Sequence, residues 1–290
     1  MKDLIKYLVV LRNYFVYKKY DFLAKIINKK LPFDDKVDFV VSIASYPKRD
    51  HLLPAVFQAL TNQTVVPKKW ILVLSVEDYL AGVPAHLTNL QRRGLEILWV
   101  KDNPYAVKKL IPVIEKYPDL GVVTLDDDII YHPLLLAGLI NKVIHEPGIA
   151  GYVGKAMIQK DSHLDMFFRE PNPANQNTPS EQVYLIGWGG IYYPPNCLDH
   201  RVLDMDAVHR IVPGRGSDIW FWAAAHAKDT SQYCLGVPSG YNLGIPIPLN
   251  ENTKPKDQPS GDVVPRRFQM AIDYFGIREK LLKVLPEKKQ

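Results

Sequence analysis

Cysteine is scarce: Cys197 and Cys234 stand alone among 290 residues, without CxxC or metal-ligand spacing. A multi-bridge disulfide scaffold and a zinc ribbon are thereby excluded, leaving two ordinary buried thiols that suit a reducing compartment, with one bridge between them still open. Long apolar runs are missing too. No stretch reaches about eighteen consecutive apolar residues, so a membrane-spanning helix is not expected. The run LVVL at Leu8 to Leu11 is short, meets Arg12 at once and is followed by no small-residue cleavage site. A cleaved signal is therefore not expected, and the protein is expected in the cytoplasm. Charge of one sign is not in great excess either: the net charge is +5 and the pI near 8.9, which does not point to nucleic acid. The basic surplus gathers toward the ends of the chain, where it would suit phosphate or anionic lipid. No internal repeat is evident.

What is present is a soluble-type composition, 47% hydrophobic, long enough for a sizeable core. Residues 1–35 read as an N-terminal helix and linker, and residues 36–290 as one large α/β domain. The stretch GVVTLDDDIIY, Gly121 to Tyr131, is the most informative. Val122 to Leu125 form a buried-type strand that delivers three consecutive carboxylates and then returns to Ile129 and Ile130. Adjacent acids repel, so at least one pKa should rise unless a cation is present. Carboxylates at i and i+2 of an extended segment share a face, so Asp126 and Asp128 can grip a hard divalent ion whose other ligands are phosphate oxygens. The competing reading is an acidic turn or helix cap, for which one Asp suffices.

The first helix, from Met1 to about Lys30, carries an apolar stripe at Leu4, Leu8, Leu11, Phe15, Phe22 and Ile26 and many lysines elsewhere. Such a basic amphipathic segment suits an anionic membrane surface, and equally a helix packed on protein with its lysines solvated. Strands follow at Phe39 to Ile43, Trp70 to Val76 and Leu95 to Val100, with helices at Asp50 to Asn62 and Ala85 to Arg93. Alternating βαβ units with continuous apolar strands predict a parallel sheet, helices on both faces, with ligands at the strand carboxyl ends. Ser45, Tyr46, Arg49 and the segment Lys101 to Asn103 fall on that edge. A helix is expected from Tyr105 to Lys116, with Lys108 and Lys109 near its start; a lysine there needs an anion to point at, and Lys108 is read as solvated. Further on come a helix at Pro133 to Ile144, a strand at Ile149 to Val153, a polar loop or lid at Gln159 to Glu181, and a closing helix from Arg266 to Leu285. Gly187, Trp188, Gly189 and Gly190 combine a sharp turn with a stacking face. Ser217 is expected to cap a helix with Asp218 in its first turn, beside Arg215, which places an acid where a general base is plausible.

In this order SIASYPKR, KKLIP, TLDDDIIY, GWGGIYYPP and GSDIWFW resemble bacterial glycosyltransferases of the GT-A type, family-2-like enzymes of surface polysaccharide synthesis, over roughly Asp38 to Asp229. The resemblance implies a GT-A, Rossmann-like fold and a donor that is a nucleotide sugar, most simply a UDP-sugar. It implies Mn²⁺ or Mg²⁺ on Asp126 and Asp128, and Asp126 or Asp127 reaching the ribose. Ala44, Tyr46 and Arg49 would wrap the nucleoside, Lys109 would face the donor, and Trp188, Gly189 and Gly190 would border a glycan or lipid-linked acceptor. Asp218 would be the base of an inverting transfer. The late metal-binding His of many relatives has no counterpart after His226. A phosphohydrolase built on the Asp cluster, and a sugar-binding protein without catalysis, are the competing readings; fold alone does not choose among them.

Overall fold

The computed structural model describes residues 2–27, 29–160, 163–165, 173–237, 242–249 and 263–287. In chain order the elements are α1 (Lys2–Ile26), β1 (Phe39–Ala44), α2 (Leu53–Leu60), β2 (Lys69–Ser75), α3 (Ala85–Arg92), β3 (Leu95–Val100), α4 (Ile111–Lys116), β4 (Gly121–Leu125), β5 (Ile129–Tyr131) and α5 (Leu135–His145). Then come β6 (Ile149–Gly151), β7 (Gly154–Ala156), β8 (Ile158–Lys160), β9 (His163–Asp165), β10 (Val183–Leu185), β11 (Ile191–Tyr193), α6 (Met205–Ile211), α7 (Ser217–Ala227), β12 (Gln232–Cys234), β13 (Gly244–Pro246), α8 (Val263–Phe275) and α9 (Arg278–Val284).

The main sheet has seven strands in the order β12-β6-β11-β4-β1-β2-β3. β1 lies between β2 and β4, parallel to both, with Val41 beside Trp70 on one side and Val123 on the other. β3 extends the parallel set, whereas β11 runs antiparallel to both β4 and β6. Strand residues alternate between two cores, as pleating requires. Val40, Ile71 and Val122 pack with α4, α7 and α8 on one face, and Val41, Leu72 and Val123 pack with α2 and α5 on the other. Both faces being covered, the continuous apolar strands predicted from the sequence are accounted for.

Several local expectations change. The segment expected as one helix from Tyr105 to Lys116 is a 3-10 turn, Tyr105–Lys109, and a separate α4 with Pro112 in its first turn. The closing helix is likewise two, α8 and α9, separated at Gly276, whose φ of +67° no helix interior accepts. The expected lid includes strands β8 and β9; its residues 161–162 and 166–172 lie outside the described residues, as do Pro255 and Pro259. Both cysteines are free and buried, so the open bridge is not formed.

α1 packs on the body through a face other than its predicted apolar stripe. Asn13 is buried, its Nδ2 donating to the Pro246 carbonyl at 3.1 Å, and Val16, Tyr17 and Tyr20 pack on the core. The predicted stripe is exposed instead. No helix among the described residues is long and apolar enough to cross a membrane.

Candidate active site

The parallel strands bring their carboxyl ends to one edge, where a cleft of about 640 Å³ is lined by the loops after β1, β3 and β4, by the 3-10 turns at Tyr105–Lys109 and Gly187–Gly189, and by the start of α7. A groove of similar size, about 670 Å³, lies between the second half of α1 and the α2–α3 region, away from the aspartate cluster.

β1 and β4 end side by side, so Ser45 and Arg49 meet the aspartate cluster directly, at Asp127 and Asp128. Asp127 is buried; Ser45 Oγ donates to one of its oxygens at 2.7 Å and Arg49 Nη1 to the other at 2.9 Å. The same Arg49 nitrogen is 3.1 Å from Asp128. Asp127 therefore ties the β1 loop to the end of β4. Asp126 Oδ1 accepts from Lys109 Nζ at 2.8 Å. Its backbone N–H donates to the Tyr131 hydroxyl, which donates in turn to the Trp188 carbonyl. Tyr131 thus joins the acid edge to the GWGG turn, a role with no signal in the sequence beyond its position next to the acids.

Asp218 follows Gly216, which caps α7 in place of the expected Ser217 and adopts φ +112°. That conformation suits glycine and lets the loop turn directly into the helix. The Gly187 N–H donates to Asp218 Oδ2 at 2.9 Å, and Ser217 Oγ is 3.4 Å from Oδ1. A Cβ at Gly187 would stand 2.9 Å from Asp218 Oδ1 and 3.2 Å from Lys109 Nζ, so lysine, base and turn share one small space.

Electrostatics follow from this packing. Burial raises the Asp218 carboxyl above the ordinary range, even though Lys109 and the Gly187 N–H favour its anion. Lys109 is held above the usual lysine range, because Asp126 and Asp218 outweigh a desolvation that works against its charge. Asp128 rises to about 6, through burial first and then repulsion from Asp127, against the pull of Arg49. The cleft lining as a whole balances five acids against five bases, but where β4 ends Asp126, Asp127, Asp128 and Asp218 crowd about Arg49 and Lys109, a local surplus of carboxylate that a divalent cation would offset. Asp128, with its side chain 21% exposed, and the Asp126 oxygen not taken by Lys109 fit such an ion. Among the described residues no group of three or more His, Cys, Asp and Glu could hold it unaided. His226 is buried against Trp222, its pKa pushed down to about 3 by burial, and does not line the cleft.

Ala44, Tyr46, Arg49, Lys109, Asp126, Asp127, Asp128, Trp188 and Asp218 all line the cleft. Gly189 and Gly190 do not: a Cβ on Gly189 would meet Val153 at 2.7 Å and one on Gly190 would meet Leu125 at 3.1 Å, so both serve close packing beneath the cleft. Of the GWGG turn, Gly187 and Trp188 are the lining residues, and Trp188 is 41% exposed. Lys108, expected in solvent, is buried; its Nζ donates to Ser75 Oγ at 3.1 Å and to Asn103 Oδ1 at 3.3 Å, and lies 3.9 Å from Asp78. Burial lowers its pKa to about 8. Its apolar neighbours Val107 and Leu110 were the available signal.

No family model matches the chain, and no curated protein matches it. Among solved structures, S. aureus TarS 1-349 in complex with UDP-GlcNAc aligns at a TM-score of 0.52 and 12% identity, covering 83% of this chain and 66% of that one. A second structure of the same TarS segment aligns at 0.44 and 12% identity, over 69% and 58%. The mannosyltransferase PcManGT from Pyrobaculum calidifontis, in complex with GDP-Man and Mn²⁺, aligns at 0.42 and 13% identity, over 83% and 70%. This chain thus spans less than two thirds of the TarS segment. The likeness to TarS is one of fold, and with the sheet order above it shows the chain to have the GT-A type α/β fold that its motifs implied.

Proposed function

We propose that this chain is an inverting glycosyltransferase that moves a sugar from a nucleoside-diphosphate sugar to a hydroxyl of a glycan or glycolipid acceptor, in the synthesis of a surface polysaccharide. The observation that carries the reading is the line Asp126–Lys109–Asp218, a diphosphate-side acid and a candidate base held across one buried ammonium in a single cleft. Tyr46 and Arg49 border the nucleoside end, where the Arg49 guanidinium lies 5.8 Å from the Tyr46 ring. TarS, whose fold this chain shares, was captured with UDP-GlcNAc, which supports a uridine nucleotide as donor.

In this reading Asp128 and the free oxygen of Asp126 hold Mn²⁺ or Mg²⁺, which offsets charge on the departing diphosphate. Lys109 supplies a fixed positive charge beside that leaving group. Asp218 accepts the proton of the attacking hydroxyl, its raised pKa bringing it closer to working pH. Trp188 offers a flat apolar face to the acceptor sugar.

The test is a panel of nucleotide sugars with and without Mn²⁺, following nucleotide release and donor binding. The expected outcome is metal-dependent release from one donor class, with Asp218→Asn lowering kcat by roughly 100-fold or more while donor binding stays near wild type. Phosphate release from an aryl phosphate, or full kcat in Asp218→Asn, would overturn it.

A further inference from the structure

α1 is built with two apolar faces. At 3.6 residues per turn Asn13, Val16, Tyr17 and Tyr20 occupy one arc, while Leu4, Leu8, Leu11, Phe15, Phe22 and Ile26 occupy another roughly 160° away. The first arc docks on the body, through the Asn13 bond to Pro246 and contacts with the α2 side of the core. The second points outward: Leu4, Phe15 and Phe22 are 62%, 63% and 60% exposed. Basic residues flank this outer stripe, Lys18 and Lys25 on one side and Arg12 and Lys19 on the other, all exposed. Before Asn13 the helix overhangs the body, so Ile5, Val9 and Val10, which the docking arc would otherwise bury, are exposed as well.

We propose that this outer face of α1 is a docking surface for an anionic lipid bilayer, on which the helix lies flat. The charge pattern chooses the occupant. Aliphatic and aromatic side chains bordered by lysine and arginine match acyl chains below a phosphate layer. A second copy joined through the same face would bring Arg12, Lys18 and Lys19 of both chains together, a like-charge contact that opposes pairing. At 1.5 Å per residue the 25-residue helix is about 37 Å long, enough to lie along the interface over its whole outer face. The docked face fixes how it sits: the half of the helix that holds the body cannot also enter lipid. The inference does not depend on the reading of the cleft.

Flotation of the intact protein with vesicles of phosphatidylcholine and phosphatidylglycerol, against phosphatidylcholine alone, tests it. Wild type should float with the anionic vesicles, and raised salt should release it. Phe15→Glu combined with Phe22→Glu should lower binding roughly tenfold or more, because two apolar anchors become like-signed with the headgroups. Lys18→Glu with Lys19→Glu should do the same. Both variants should melt near the wild-type temperature and bind nucleotide sugar as wild type does, since the altered side chains are exposed and their ring contacts, Phe15 with Tyr14, Lys18 with Tyr14 and Tyr17, and Lys19 with Tyr20, stay within α1; donor binding on the same samples therefore reports separately on the cleft. Absence of flotation by wild type, wild-type flotation by either variant, or a stable dimer in light scattering that Phe22→Glu dissociates would overturn the proposal.

Discussion

Lys109 is the residue on which the most chemistry converges. Its ammonium is in contact with Asp126 and adjacent to Asp218, so it favours the anion of the base while burial opposes it. The rate should require ionised Asp218, and should therefore rise with pH through a carboxylate pKa displaced upward. Removing the positive charge in Lys109→Met should move that inflection to still higher pH, read from the pH dependence of kcat; an unmoved inflection would separate the lysine from the base. Gly187 is its spatial counterpart. With no room for a Cβ beside Asp218 and Lys109, Gly187→Ala should displace the base and lower kcat roughly 10- to 100-fold with little change in donor affinity, measured by steady-state kinetics and calorimetry. The placement of the acids, Tyr46 and Arg49 at the cleft was legible because they follow apolar strands whose carboxyl ends share one edge, and Asp218 because it opens a helix behind a glycine-rich loop, whereas Lys109 was placed by the motif order of the family resemblance. Lys108, Tyr131 and the inward packing of Gly189 and Gly190 were not, since their surroundings are supplied by Ser75, Trp188, Val153 and Leu125, distant in the chain.

At the scale of elements, strands were the clearest reading. β3 matches its expected span, β1 runs one residue further and β2 is shifted by one residue at each end; β1 and β2, buried on both faces, had to be apolar nearly throughout, and the edge strand β3 was still marked by its run of Leu, Ile, Trp and Val. Helix faces were harder. α1 offers two apolar arcs of the same period, and the choice of docked face is made by Asn13 finding the Pro246 carbonyl, a partner 233 positions away. The expected helix at Tyr105 to Lys116 breaks because Lys108 and Lys109 are held by partners at the strand ends, while Pro112 favours the start of a new helix. The entry to α7 rests on Gly216 in a left-handed conformation, with Val212 close by. Gly216→Ala should cost about 1–2 kcal/mol of stability by chemical denaturation, from the backbone preference alone, and should disturb Asp218 two residues on.

For the molecule as a whole, ligand and cation should act together. Burial, and after it repulsion from Asp127, leaves Asp128 with a raised pKa and its anion short of a cation, so a nucleotide sugar brought in with Mn²⁺ should bind more tightly than without it. At a donor concentration about 100 times its Kd the linkage amounts to about 2.7 kcal/mol, or roughly 4–8 °C in Tm for a chain of this size, read by differential scanning fluorimetry with and without the metal. An equal shift without metal would argue that the cleft's own cations, among them Lys48, Arg49, Lys108, Lys109 and Arg215, suffice for the diphosphate. The reversed course of β11 has a consequence of another kind. Because it runs against β4, the turn that precedes it, Gly187–Gly189, arrives at the same rim as the ends of the parallel strands, and Ile191 pairs with Thr124 just short of the acids. The two walls of the cleft are thus stitched into one hydrogen-bonded floor, leaving no hinge between them, so the cleft cannot widen by the parting of two lobes.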